Sequence, residues 1–365
     1  RLFGPRISRE VSAIVEVQKP PHLALKLAPD SDTVELGKPV SWNLKMFNDG
    51  GMDLNQVMAR HGRTLLDDPF DLSIGAERQF DFNKTYRHVG APTEKVTVTA
   101  MTDAGVRLRW VAEAQVKVGY KKLTLTKPVE MELIRIPAGE FLMGSDENVD
   151  KHANINEQLQ HRLHLPEYYI GKYPVTVAQI RPFVEKSGHK FEDYSGSLKG
   201  KPNHPVVRVS FKKAVAFCEW LSRESGQVFR LPSEAEWEKA ARGTDGLIYP
   251  WGSEWDPKRC NSEEGGVGDI THVGKYSPQG DSPYGCTDMA GNVWEWTRSL
   301  YRDYPYDPDD GREATDVGDS PRVVRGSSWI DNHGYARCAY RYRHFPRWSD
   351  LYGFRVVVST ALRPR

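Results

Sequence analysis

The run Asp288-Met289-Ala290-Gly291-Asn292-Val293-Trp294-Glu295 carries two carboxylates around a glycine. Asp288 and Glu295 offer hard oxygens, and the backbone at Gly291 and Val293 offers carbonyls, a donor mixture that suits a flexible calcium cage. The same residues can instead form a hydrogen-bonded loop, with Asn292 and Glu295 bonding around Trp294 and Trp296. A second candidate lies between Arg322 and Arg355, where Tyr335, Tyr340, Tyr342, His344, Phe345, Trp348 and Tyr352 are crowded among arginines. Neither a helical nor an alternating period fits that stretch. Aromatics mixed with arginine supply large contact areas with few torsions to freeze, which suits a recognition surface. The four cysteines, Cys218, Cys260, Cys286 and Cys338, form no CxxC pair, so a compact zinc site is not expected. Cys218 lies in a helical apolar pattern and reads as a small buried hydrophobe. No Ser-His-Asp arrangement is defined by the sequence, and Glu264–Gly268 lacks the lysine and helix of a phosphate loop.

A chain of 365 residues predicts two or three domains. Its 50 basic and 49 acidic residues balance to +1, so bulk charge points neither to nucleic acid nor to an anionic membrane. No apolar run reaches the length of a membrane span. The sparse cysteines slightly favour a reducing, cytoplasmic compartment, with a cell surface left open.

Residues 22–118 read as all-β. Val40, Trp42, Leu44 and Met46 share one face of a strand, Val96, Val98 and Ala100 share another, and turns such as Asn48-Asp49-Gly50-Gly51 separate them. About seven strands in roughly 100 residues predict an immunoglobulin-like β-sandwich over 1–120, N-terminal extension included, without the Cys…Trp…Cys pattern of antibody domains. A strand is expected around Ala13–Val17, and residues 121–130 read as a linker. Glu132–Ser145 reads as a hairpin-like pair of strands closed at Pro137-Ala138-Gly139. Three helices follow: one from a Thr176/Gln179 capping box with Pro182 inside it, one capped by Ser210 and ended by Gly226, and one from a Ser233/Glu236 capping box to Gly243. Pro182 predicts a kink or an offset start. Beyond Gly243 the chain is loop-rich, so indole packing, polar networks or a metal must hold it.

The ordered set Ile136–Ser145, Tyr173-Pro174-Val175-Thr176, Arg230–Glu238, Pro250-Trp251-Gly252, Asp288–Trp296 and Arg325-Gly326-Ser327-Ser328-Trp329 closely resembles the sulfatase-modifying-factor, or formylglycine-generating-enzyme, superfamily. The resemblance covers about 131 to 359 and implies an α+β chain whose C-terminal domain, 131–365, has a C-type-lectin-like fold. It also implies that Asp288, Gly291, Val293 and Glu295 match one structural calcium site, while Asn261 and Asp269 match a second loosely. The enzymes of the family bind copper with two cysteines five residues apart; here Cys338 matches the second, and His333 stands where the first would be. Soft thiolates suit Cu(I), so an oxidase is the lesser expectation. The segment 322–358 is more similar to the variable region of diversity-generating-retroelement proteins. That resemblance implies display positions Ile330, Asp331, Asn332, His333, Tyr335, Tyr340, Tyr342, His344, Phe345, Arg347, Trp348, Ser349, Asp350, Leu351 and Tyr352 among framework positions Trp329, Arg337, Ala339, Arg341, Pro346 and Gly353-Phe354-Arg355. The expectation is a non-enzymatic receptor-type protein that binds a protein ligand and needs no cofactor beyond a structural Ca2+.

Overall fold

The structure is a computed structural model, and it describes residues 20–35, 38–86, 91–119, 122–187, 201–314, 318–347 and 351–359. The expected strand at Ala13–Val17 lies outside these residues. The chain divides into two compact units, Arg1–Gly119 and Tyr120–Arg365. It is mostly β with few helices. No helix among the described residues is long and apolar enough to cross a membrane.

The first unit is a β-sandwich. One sheet has the order β1 (Ala24–Pro29), β3 (Pro39–Phe47), β7 (Glu77–Thr85). The other runs β5 (Thr64–Leu65), β4 (Leu54–His61), β8 (Thr93–Met101), β9 (Arg107–Gln115), with β6 (Phe70–Leu72) also on β4. A short parallel pair joins β2 (Thr33–Glu35) to β10 (Lys117–Gly119). The period-two pattern decides which side chains face inward: Val40, Trp42, Leu44 and Met46 pack with Val57, Ala59, Val96 and Val98 in one core. Glu94 lies on that inward face, where His61 and Lys84 bind it.

In the second unit a five-stranded sheet has the order β11 (Lys122–Leu125), β12 (Met131–Ile136), β15 (Tyr168–Gly171), β21 (Val357–Ser359), β16 (Phe229–Arg230). Residues 122–125, expected in a linker, thus form an edge strand paired with β12. A second expectation is also corrected: β12 and β13 (Gly139–Met143) do not pair with each other. β13 pairs with β14 (His161–Leu165), so the Pro-Ala-Gly turn moves the chain between two sheets. A third sheet runs β19 (Tyr342–His344), β18 (Arg322–Arg325), β17 (Trp294–Leu300), β20 (Tyr352–Phe354).

The helices are α1 (Val177–Ser187), α2 (Phe211–Ser225) and α3 (Glu234–Arg242). Both capping boxes form, and the α1 helix runs through Pro182 without the expected offset. Ser210 takes the extended N-cap backbone but makes no side-chain cap bond, and Gly226 ends α2 in the left-handed region. Ile180, Phe183, Phe217, Trp220 and Leu221 from α1 and α2 pack with Trp294, Trp296 and Phe354 into the main core. The loops after Gly243 are tied by rings: Tyr249 stacks on Trp251 at 5.5 Å and meets Trp255 at 5.1 Å.

Lys239 of α3 is buried, and its ammonium donates to the carbonyls of Pro137 and Gly139, 2.8 Å each. It thereby holds the turn between β12 and β13. Burial pulls its pKa down to about 8. Between that value and about 10.4, where a free lysine titrates, the unfolded chain keeps a proton that the folded chain has lost. Stability therefore rises with pH across this window, by up to about 1.4 kcal/mol per unit, and the full desolvation penalty is present below it. Comparing wild type with Lys239→Met by urea unfolding at pH 7.5 and 9.5 should show wild type gaining on the variant. A pH-independent difference would refute the assignment.

Candidate functional site

Between Arg322 and Arg355 two kinds of residue alternate. Arg325 and the expected framework arginines Arg337, Arg341 and Arg355 are almost wholly buried. Each guanidinium meets carboxylates from distant segments. Arg341 binds both oxygens of Glu234 at 2.7 Å, and Arg325 bridges Glu234 at 3.1 Å and Glu238 at 2.7 Å. Arg337 binds Glu157 through two bonds and Asp150 at 2.8 Å. Arg355 grips both oxygens of Glu295 at 2.6 Å. Such forked, charge-assisted bonds fix orientation as well as neutralising charge. Burial alone would raise the Glu238 pKa, but Arg325 and Arg242 hold it below its usual value.

The same arginines hold the main chain. Arg325 donates to the carbonyls of Cys338 and Ala339, and Arg337 donates to that of Gly334. Cys338 N–H donates to Ile248, and Trp329 N–H donates to Asn292. An irregular backbone is therefore anchored at Gly334, Cys338, Ala339 and Trp329 without forming a sheet there.

On this base the expected display positions separate. Ile330, Tyr335, Tyr342 and Phe345 are 38% to 57% exposed, and Asn332 and Arg347 are also exposed. Tyr335, Tyr340 and Tyr342 form a ring cluster over Trp294: Tyr335 meets Tyr340 at 5.0 Å, and Trp294 meets Tyr340 and Tyr342 at 6.0 and 5.9 Å. His333 is half-buried, bonds Glu264 at 3.0 Å, and packs against His152 and Trp255.

Other expected positions serve the framework instead. Tyr352 is only 6% exposed, in β20, edge-on to Trp296 at 5.3 Å, so it is a core residue rather than an anchor for a ligand. His344 is wedged at 4.5 Å against Tyr352. Leu351 packs on the same core. The Asp331 carboxylate accepts from Ser328 N–H at 2.9 Å and from the Trp294 indole at 3.0 Å, so it acts as a turn brace. Trp348, Ser349 and Asp350 lie outside the described residues.

The calcium expectation does not fit the residues present. Glu295 gives both oxygens to Arg355 and also accepts from the Trp237 indole at 2.9 Å. Asp288 accepts from Gly274 N–H, and burial pushes its pKa up to about 6. The Gly291 carbonyl accepts from Val293 N–H. Asn292 ties Asn261 and Thr271 together, which is the hydrogen-bonded loop the sequence also allowed. Calcium at up to about 1 mM, the weakest affinity class of protein calcium sites, should therefore produce no binding heat, and EGTA should leave the melting temperature unchanged. Saturable heat at this concentration that Asp288→Asn abolishes would contradict this arrangement.

A two-thiolate copper centre does not fit either. Cys338 is fully buried, burial pushes its thiol up to about 12, and His333 takes the place of a second thiol. Among the described residues no group of three or more His, Cys, Asp and Glu side chains is gathered to hold a metal.

Sequence reading missed the acids that complete the network: Asp150, Glu157, Glu234 and Glu238. One local signal was present. The i,i+4 pair Glu238–Arg242 lies in a helix so charged that it reads as exposed, yet all nine of its residues are buried.

Residues 121–360 match the family model of the sulfatase-modifying factor enzyme 1-like domain. An inactive C-alpha-formylglycine-generating enzyme 2 from Mus musculus is 30% identical over 305 residues, covering 67% of this chain and 91% of that protein. A formylglycine-generating enzyme from Mus musculus is 28% identical over 303 residues, covering 66% of this chain and 77% of its own. The solved structure of Treponema denticola variable protein 1 superposes with a TM-score of 0.53 at 23% identity, over 65% of this chain and 98% of that one, a likeness of fold.

Proposed function

Because the chain belongs to the sulfatase-modifying factor enzyme 1-like domain family, we propose that it is a non-enzymatic, ligand-binding member. On this reading the C-type-lectin-like scaffold displays Ile330, Asn332, His333, Tyr335, Tyr340, Tyr342, Phe345 and Arg347 to a protein partner, as a retroelement variable protein would. One observation carries the reading. Large exposed side chains at Ile330, Tyr335, Tyr342 and Phe345 alternate with buried, ion-paired arginines on one segment. Exposed rings on a rigid backbone are inexpensive contact area, because little conformational freedom is lost on binding.

Saturation mutagenesis of 330–347, read by folding and melting temperature, tests the division. The display positions should accept most residue types, and Arg337, Ala339 and Arg341 should accept almost none. Equal intolerance at both sets would overturn the reading. The retroelement origin has its own test in the encoding locus. A near-repeat of the 3′ end, differing at adenines and lying beside a reverse transcriptase, is expected there. The family also contains enzymes. Copper-dependent oxygen consumption on a cysteine peptide, lost in Cys338→Ser, would establish catalysis and remove the non-enzymatic proposal.

A further inference from the structure

A cavity of about 650 Å³ opens between the loop 145–160 and the turn at Asp303–Tyr304. Its volume lies within the range of small-ligand pockets. Its lining holds three carboxylates, Asp146, Glu147 and Asp303, and no lysine, arginine or histidine. The Asp303 carboxylate has no partner among the described residues. Among the described residues the Asp146 carboxylate accepts only from Asn148 of its own turn, and the Glu147 carboxylate accepts from the Gln158 amide at 3.2 Å. The Lys151 ammonium bonds the Glu147 carbonyl rather than its carboxylate. A cleft walled by protein and lined by one sign of charge concentrates ions of the other sign.

Three further features mark the cavity. Ile155 and Leu159 line the cavity while 87% and 67% exposed, an arrangement that offers apolar surface beside the carboxylates. The carbonyl oxygen of the Asn156 side chain is buried without a hydrogen-bond partner, although its amide nitrogen donates to Tyr301. Tyr304 supplies a rigid wall, because Arg341 covers its ring at 4.1 Å. An inorganic cation would use the acids and leave the aliphatic rim wet. A cation on an aliphatic stem would use both, as lysine and arginine side chains do.

We propose that this cavity is a second binding site, independent of the display surface, for a lysine or arginine side chain of a partner protein. The chemistry is that of an alkyl cation, and the test separates the two side chains. The probes are acetyl-Leu-Arg-Leu-amide, its lysine counterpart and its citrulline counterpart, which keeps the shape and loses the charge. Amide shifts in an NMR titration of the full chain at low salt report the binding. The arginine or lysine peptide should shift residues 145–160 and 303–304 with millimolar affinity, and the citrulline peptide should bind at least about tenfold more weakly. Asp146→Asn with Asp303→Asn should weaken the cationic peptide about tenfold without lowering the melting temperature, since Asn preserves the turn acceptor. Tyr342→Ala should change nothing here, so this outcome stands or falls apart from the display reading. Equal binding of the citrulline peptide, unchanged affinity in the double variant, or no shifts at 10 mM peptide, about tenfold above the expected affinity, would overturn the proposal.

Discussion

Replacing Glu234 by Gln should destabilise the C-terminal unit by about 3–5 kcal/mol, the range for removing one partner from a buried ion pair. Glu234 is fully buried and accepts from Arg341 and Arg325, while Tyr304 donates to it at 3.2 Å. Gln keeps the shape and one acceptor, so little cavity is made. What changes is charge: Arg341 keeps no carboxylate, and Arg325 keeps only Glu238. Neither guanidinium can reach water without breaking the packing around Trp237 and Tyr304. The exposed pair Lys95–Glu113 serves as the comparison. It is as short, at 2.7 Å, but both partners are solvated, so Lys95→Met should cost under about 1 kcal/mol. Urea unfolding of both variants checks the contrast. A Glu234→Gln loss no larger than that of Lys95→Met would remove the buried network as the base of the segment.

The second large effect divides two tyrosines ten positions apart. Tyr352→Ala should cost about 3–5 kcal/mol, as for other buried aromatics, because it empties the space between Trp296 and His344. Tyr342→Ala should stay near about 0.5 kcal/mol, because that ring is largely solvated. The same two variants bear on the proposed function. Loss of partner binding with stability retained is expected of Tyr342→Ala, and general unfolding is expected of Tyr352→Ala. Similar melting temperatures for the two would show that the division between core and display is misplaced.

Much of this architecture is legible in the sequence, for identifiable reasons. Period-two alternation at Val40, Trp42, Leu44 and Met46 reports a face because a strand has only two faces. The Ser233/Glu236 box reports a helix start because its bonds are local. The sequence is silent where partners are remote. Arg341 meets Glu234 across 107 positions and Arg337 meets Glu157 across 180, and no local pattern announces either. For the same reason nothing local announces that the charged residues of α3 are buried. Tyr352 resembled Tyr342 because both are tyrosines in one arginine-rich stretch. What separates them is the parallel pairing of β20 with β17, which sets Tyr352 opposite Trp294. The pairing of Arg355 with Glu295 is silent in the same way, since nothing near Glu295 in the sequence announces it.

The carbonyl bonds from Arg325 and Arg337 carry one more consequence. Gly334, Cys338 and Ala339 are gripped by their main chain, at fixed intervals, from guanidiniums that cannot move. Inserting or deleting one residue between Trp329 and Arg341 would slide every carbonyl past its donor and strand buried charge. Changing the side chain of an exposed position there, such as Ile330 or Tyr335, disturbs none of these bonds. The exposed positions can be rewritten letter by letter but the segment cannot be lengthened, so on the proposed reading any range of partners must come from the choice of side chains on one fixed outline.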